Sequence, residues 1–342
     1  MDGVRDASVD ATATALQAAL QRQESCAAEV LNLRRLTGGA TKRTWAFDWI
    51  VGGVRQPLIL QQAPGPAASP GEAPKLGAAQ DAALMVAARA GGAPAPVVRA
   101  VLQPQDGLGE GYVTEFVAGE TLGRRLVRDA AFSGARALMA RQCGEILASI
   151  HRLPTASLPF LQRLSPADEL RIYADALARS GIRHPALAYA LRWIEQNLPS
   201  DWVPALVHAD FRTGNLIVGP DGVRCVLDWE IARIGDAMQD LGVLCMRTWR
   251  FGGAGEVGGF GAREDLYAAY EAASGRRIDP RRVKFWEAFS NLKWAIACAR
   301  RGASVRADGR QASLELSAVG RRLEEPLWDF LALTRSEPGD QP

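Results

Sequence analysis

The chain has 342 residues, enough for two lobes with separate cores, and its 48% hydrophobic and 23% charged content is ordinary for a globular protein. A formal net charge of +2 argues against a nucleic-acid partner, which needs a concentrated basic face. No apolar run approaches the roughly 18–20 residues that cross a bilayer, the N-terminus lacks the apolar core of a signal peptide, and five scattered cysteines fit neither a disulfide framework nor a zinc site, so a reducing cytoplasm is the expected location.

In chain order, an Ala-, Leu- and Gln-rich stretch from Ala11 to Gln23 predicts a helix. Leu33 to Leu60 predicts strands: Trp45, Phe47, Trp49 and Val51 alternate with smaller or polar residues, Gly52-Gly53 makes a tight hairpin, and Pro57-Leu58-Ile59-Leu60 starts the next strand. Thr37 to Thr41 is a Gly-containing loop before the alternating strand. Ala63 to Pro74, dense in Pro, Gly, Ala and Ser, is expected to be an exposed loop. A helix follows from about Leu76 to Ala90, ended by Gly91-Gly92. Strands are expected at Val97 to Leu102 and Tyr112 to Phe116. These strands connect too directly for a doubly wound parallel sheet.

Beyond Gly119 helices dominate: Phe132 to Arg152, Ala167 to Ser180, Pro185 to Asn197, Arg263 to Ser274, Val283 to Arg301 and Ala312 to Thr334. One hairpin interrupts them, Leu216 to Val218 and Val223 to Leu227, turned by Gly219-Pro220-Asp221-Gly222. The pattern is α+β, a sheet-rich lobe and a larger helical lobe, with Thr114 to Gly119 as the expected hinge.

The chemistry concentrates around that hairpin. His208-Ala209-Asp210-Phe211-Arg212-Thr213-Gly214-Asn215 reads H-x-D-x-x-x-x-N, and Val226-Leu227-Asp228-Trp229-Glu230 follows the second strand. Phosphoryl transfer needs in-line positioning and neutralised phosphate charge. Magnesium supplies much of that from hard oxygen ligands, and a further carboxylate must orient the acceptor hydroxyl and take its proton. Asp210 and Asn215 bracket one loop, and the hairpin folds Asp228 back beside it. A buried His208 would organise the loop through backbone hydrogen bonds.

These residues identify the chain by resemblance. His208 to Leu241, with H-A-D-F-R-T-G-N, V-L-D-W-E and G-D-A-M-Q-D-L, resembles the aminoglycoside phosphotransferase and choline kinase superfamily, relatives of protein kinases. The family usually has Gly where Ala209 stands and often Pro where Ala237 stands. The resemblance implies a two-lobed kinase-like fold, with a nucleotide-binding lobe over residues 1–116 and a catalytic and substrate lobe over 117–342. It implies ATP or another nucleoside triphosphate with Mg2+, Asp210 as base, Asn215 and Asp228 as metal ligands, and Asp236 and Asp240 as structural braces. In the small lobe, Leu36 to Trp45 resembles the nucleotide-covering loop, bringing in Gly38, Gly39 and Thr41. Pro94-Ala95-Pro96 resembles the segment after the small lobe's helix. Tyr112 to Leu122 resembles the segment that receives adenine, with Glu115, Phe116 and Val117 offering backbone groups.

The third strand departs from the pattern. Gln61 occupies its usual basic position, opposite Asp81 on the helix. Gln brings no charge, so the phosphate grip is expected to be weak, and a pseudokinase remains the alternative, unless Lys42, Arg43 or Lys75 substitutes. The glycine-rich segment Gly252 to Gly261 lacks the Lys-Ser/Thr of a P-loop and is expected to be a flexible connection, with a substrate-side flap as the alternative.

Cations such as Arg247, Arg250, Arg282, Lys293 and Arg301 lie in the region expected to face the acceptor. A solvated helix face is the competing explanation. If they line the pocket, the acceptor is a neutral or anionic small molecule, not a polycation. The segments F-W-E-A-F-S-N-L-K-W-A-I-A and L-E-L-S-A-V-G-R-R-L-E-E resemble the phosphotransferases found with acyl-CoA dehydrogenases, which implies a hydroxyacyl thioester or hydroxy acid, ranked ahead of an aminoglycoside.

Overall fold

The computed structural model describes residues 3–36, 42–63, 75–303 and 314–335. After helix α1 (Gly3–Glu24) come strands β1 (Ala28–Leu36), β2 (Arg43–Val51) and β3 (Val54–Gln62), then α2 (Ala78–Ala90), β4 (Val98–Val101) and β5 (Gly111–Glu115). The strands form one antiparallel sheet in the order β1-β2-β3-β5-β4. This is the α+β kinase-like architecture.

Alternation decides which side of the sheet packs where. Phe47 and Trp49 of β2, Leu58 and Leu60 of β3 and Val113 of β5 join Leu16, Ala19 and Leu20 of α1 in a small core. The i, i+3, i+4 spacing on α1 sets those three side chains on one stripe. Tyr112, one residue from Val113, points the other way and joins α2 in the large core. Asp81 on α2 therefore faces the cleft side of the sheet.

β1 starts at Ala28, five residues before the strand signal at Leu33. A bulge between Leu31 and Arg34, with Asn32 at φ +55°, breaks the alternation that would have revealed its first half.

The rest of the described chain is mainly helical: α3 (Gly123–Arg128), α4 (Ser133–His151), α5 (Pro166–Ser180), α6 (Pro185–Gln196), α7 (Met238–Cys245), α8 (Arg263–Ser274), α9 (Pro280–Gly302), α10 (Leu314–Gly320) and α11 (Glu324–Thr334). The helix expected over Ala312 to Thr334 is thus two helices. Gly320 lies against Gly302, where a Cβ would stand 2.2 Å from the Gly302 Cα, and the chain turns directly afterwards. Two short ribbons carry the loops of interest. β6 (Pro204–Val207) pairs with β9 (Arg233–Asp236), and β7 (Leu216–Gly219) pairs with β8 (Gly222–Val226) as the expected hairpin. Among the described residues, no helix is long and apolar enough to cross a membrane.

Candidate active site

β6 ends at Val207, and the loop that follows is hung from one buried carboxylate. Asp240, in the first turn of α7, accepts the backbone N–H groups of His208 (2.8 Å) and Ala209 (2.7 Å), and its Oδ2 lies 3.0 Å from His151 Nε2. Burial works against its charge, but His151 and the His208 N–H outweigh it and hold the carboxyl below the usual carboxylate range. Asp236 accepts from Trp286 Nε1 at 2.7 Å and from the Met238 N–H at 3.1 Å. Here burial dominates and raises the pKa.

His208 is fully buried. Its Nε2 is 3.0 Å from the Leu227 carbonyl oxygen, and its Nδ1 accepts the Asp210 N–H at 3.3 Å. Those two contacts set the tautomer with the proton on Nε2. The ring thereby clamps the Asp210 loop to the residue before Asp228.

Ala209 sits at φ +68°, in the left-handed region where a Cβ costs roughly 1–2 kcal/mol. Ala209→Gly is accordingly expected to stabilise the fold by about 1 kcal/mol, read as a higher denaturation midpoint at unchanged m-value.

Asp210 is gripped from two directions. Arg212 Nε lies 3.0 and 3.1 Å from its two carboxylate oxygens, and Asn215 Nδ2 donates to Oδ2 at 2.7 Å and to the Asp210 carbonyl at 2.9 Å. Arg212 in turn stacks on Trp249 at 4.4 Å, Trp249 packs against Trp294 at 5.2 Å, and Arg301 covers Trp294 at 5.3 Å. Arg212 lies inside the motif quoted above, two residues from Asp210, yet nothing local assigned it a role.

Asn215 and Asp228 are brought together by the β7–β8 ribbon. Leu216 opposes Val226, and the Leu227 N–H donates to the Asn215 carbonyl at 2.8 Å, so the residues flanking this register lie side by side. Asp228 adopts φ +67°, with 38% of its side chain exposed to the cleft. Partial burial raises its pKa and Lys42 pulls it back down. Asp228 and the Asn215 side-chain oxygen are hard donors of the kind magnesium takes, and two protein ligands suffice when phosphates and water complete the shell.

Gln61 does not stand alone at its position. Its Oε1 is 2.5 Å from the Tyr112 hydroxyl, which is 2.8 Å from Asp81 Oδ2. The same Asp81 oxygen receives Lys42 Nζ at 2.8 Å, and Lys42 also lies 3.1 Å from Glu230 Oε2 and 3.5 Å from Asp228 Oδ1. Burial opposes this ammonium, but Tyr112, Asp81, Asp228 and Glu230 outweigh it, so its pKa rises. Lys75 engages the other oxygen of Glu230 at 2.9 Å. Gly38, Gly39 and Thr41 lie outside the described residues, as does most of the loop expected over Ala63 to Pro74.

In the segment expected to receive a nucleobase, two amides are already used. The Glu115 N–H donates to Val97 O at 2.9 Å and the Phe116 N–H to Pro57 O at 3.0 Å. Glu115 and Phe116 therefore cannot offer those donors to a base edge.

The glycine-rich segment is a tight buttress, contrary to the flexible connection expected. Backbone bridges join Gly255 to Gly259 and Val257 to Gly261, Val257 is fully buried, and the Gly258 carbonyl accepts the hydroxyl of buried Thr213 at 2.9 Å. A Cβ at Gly253 would meet Gly259 O at 2.1 Å, which explains the composition as close backbone packing beneath the Asp210–Asn215 loop.

Several cations assigned to the acceptor face are committed elsewhere. Arg250 bonds the Cys245 carbonyl and pairs with Glu287 at 3.6 Å, and Arg282 pairs with Asp201 at 2.6 Å. Lys293 is buried with Glu169 and lies over Trp286 and Phe289 at 4.8 and 4.5 Å.

The profile of the phosphotransferase enzyme family (APH) matches residues 32–286. The chain belongs to this family. The chain superposes on a Ralstonia eutropha chain provisionally named an aminoglycoside phosphotransferase, with TM-score 0.70, 21% identity and 94% and 97% of the two chains covered. It also superposes on spectinomycin phosphotransferase in complex with ADP and spectinomycin, at TM-score 0.62 and 12% identity, covering 94% and 98%. At these identities the likeness is one of fold. Among curated proteins it is similar to acyl-CoA dehydrogenase family member 11 of Gallus gallus, 33% identical over 142 residues, or 37% of this chain and 18% of that protein. The chain covers about a fifth or less of the acyl-CoA dehydrogenase relatives it matches first.

Proposed function

We propose that the chain is an ATP-dependent O-phosphotransferase acting on the hydroxyl of a small metabolite, with a hydroxyacyl-CoA or related hydroxy acid ranked ahead of an aminoglycoside. The observation that carries the first half is the convergence of Asp210, Asn215 and Asp228 on one cleft edge, with the Asn215 amide bonded to Asp210 and the residue before Asp228 bonded to the Asn215 carbonyl. In this proposal Asp210 receives the proton of the acceptor hydroxyl, and Arg212 and Asn215 hold its carboxylate in one orientation. His208 keeps the loop registered on the hairpin. Asn215 and Asp228 would hold magnesium, which supplies charge neutralisation at the phosphates when bound. The carbonyl edge of Glu115 and Phe116, together with Val117, is the part of the inter-lobe segment assigned to the adenine ring. Spectinomycin phosphotransferase was crystallised with ADP, and that supports nucleotide use here.

The acceptor class rests on charge. Polycationic acceptors need uncompensated carboxylates. Beside Asp210 the wall is instead Arg212 on Trp249, while Glu287 is already paired with Arg250 and Arg263, and Asp329 lies 3.8 Å from Arg247. Similarity to acyl-CoA dehydrogenase family members favours the same choice. An ATP-consumption screen with Mg2+ over hydroxyacyl-CoAs, sugars, choline, homoserine and aminoglycosides tests it. Turnover is expected with a hydroxyacyl-CoA. Robust turnover of aminoglycosides alone would reverse the ranking, and absence of nucleotide binding by calorimetry would remove the kinase assignment.

A further inference from the structure

The phosphate grip that the third strand lacks has a replacement on its neighbour. Resting on the phosphotransferase assignment above, we propose that Lys42, immediately before β2, is the phosphate-positioning residue of this protein, in place of a cation at Gln61.

Sheet register makes the substitution geometrically direct. Thr44, Gln61 and Tyr112 are cross-strand neighbours on β2, β3 and β5. Side chains at i and i±2 of a strand share a face, so Lys42 lies on the face of Thr44 and therefore of Gln61. The diagonal offset between Lys42 and Gln61 is the kind of distance a four-carbon stem spans. Lys42 Nζ indeed reaches across the row, 5.8 Å above the Tyr112 ring, to the same Asp81 oxygen that the Tyr112 hydroxyl approaches. Asp81, on the small lobe's helix, is the acid expected to pair with a third-strand cation. The ion pair is thus retained, with its cation arriving from one strand over.

The two other candidates are less suited. Arg43 is adjacent to Lys42 and faces the opposite side of the strand, exposed. Lys75 touches Glu230 from a position outside this row, where it neutralises that carboxylate. Lys42 meets the other oxygen of Glu230 at 3.1 Å, so its ammonium lies among Asp81, Glu230 and Asp228, the last 3.5 Å away at the cleft. The cluster of Asp81, Asp228, Glu230, Lys42 and Lys75 is net negative by one charge. A divalent cation at Asp228 makes it net positive by one. The pocket should consequently favour a magnesium–nucleotide chelate over the free nucleotide.

Calorimetry with the full chain tests the assignment, comparing wild type, Lys42→Met, Lys42→Arg and the double variant Lys42→Met/Gln61→Lys, with thermal melts to verify folding. Lys42→Met is expected to weaken Mg·ATP about tenfold or more, in line with loss of one charge-assisted contact, while adenosine affinity stays as in wild type. Lys42→Arg should retain most of the Mg·ATP affinity, and the double variant should regain a substantial part of the loss. If Lys42→Met binds Mg·ATP as wild type does, or loses adenosine and Mg·ATP equally, or the folded double variant regains nothing, the assignment is overturned. A wild-type chain that binds no nucleotide removes both this inference and the phosphotransferase proposal, whereas the other outcomes leave the latter standing.

Discussion

Asp210→Asn is expected to lower turnover by about 10²–10⁴-fold, the range for loss of a positioned general base, with Mg·ATP affinity nearly unchanged. The geometry predicts this separation. Asp210 interacts with Arg212 and Asn215 on the loop and is not among the carboxylates around Lys42. Asparagine keeps the shape and can still accept from Asn215 through its oxygen, so the loop should survive. What it lacks is a site for the acceptor's proton. Steady-state kinetics against the best substrate of the screen, paired with nucleotide calorimetry, checks both halves. If Asp210→Asn keeps full turnover, the base lies elsewhere. If nucleotide affinity collapses too, Asp210 belongs with the metal ligands.

The largest effect on stability is expected from Glu169→Gln, at about 3–5 kcal/mol, the cost of removing one partner from a buried ion pair. Glu169 on α5 is bonded to both Arg233 of β9 and Lys293 of α9. Arg233 Nη2 lies 2.8 Å from Oε2, Arg233 Nε lies 3.0 Å from Oε1, and Lys293 Nζ contacts Oε2. Gln239 of α7 completes the cluster when its amide oxygen faces Lys293 (2.9 Å) and Arg233 (2.7 Å). Three helices and the ribbon that leads into His208 therefore converge on this carboxylate.

Burial pushes the Lys293 ammonium down to about 8 from 10.5, with Glu169 opposing. A base whose folded pKa lies below its unfolded value binds more protons when unfolded, so its contribution to stability grows as pH rises through the window from about 8 to 10.5. Without the Glu169 charge, Lys293 gains still more by releasing its proton, while Arg233 stays charged. The deficit of Glu169→Gln should consequently be smaller at pH 9 than at pH 7. Urea denaturation at the two pH values measures it, and a deficit that is equal or larger at pH 9 would show that Lys293 is not the group responsible.

Local spacing made part of this molecule legible without coordinates. The H-x-D-x-x-x-x-N run and Asp228 are separated by a hairpin whose Gly-Pro-Asp-Gly turn is a short-range signal, so their convergence follows from strand pairing over a dozen residues. The alternation Trp45, Phe47, Trp49, Val51 specified a half-buried strand for the same reason. β6 and β9 gave no comparable signal, because each spans four residues and the partners stand 26 or more positions apart. The glycine-rich segment is ambiguous in sequence because glycine marks both flexible chain and close backbone contact, and only the neighbours at Gly259 and Thr213 separate the two.

The amino-acid sequence by itself determined the kinase-like α+β order of elements and the placement of Asp210, Asn215 and Asp228 around one hairpin, along with the absence of a charge at Gln61. Tertiary structure alone decided which cation pairs with Asp81, since Lys42 and Asp81 are 39 residues apart and meet only when β2 and α2 share one cleft. It also separated the cations still beside Asp210 from those consumed by Glu169 and Glu287. The physical reason is common to both. A charge has a pattern along the chain only when its partner is local, and in the low-dielectric interior the partner is chosen by reach and burial, which depend on how distant segments pack.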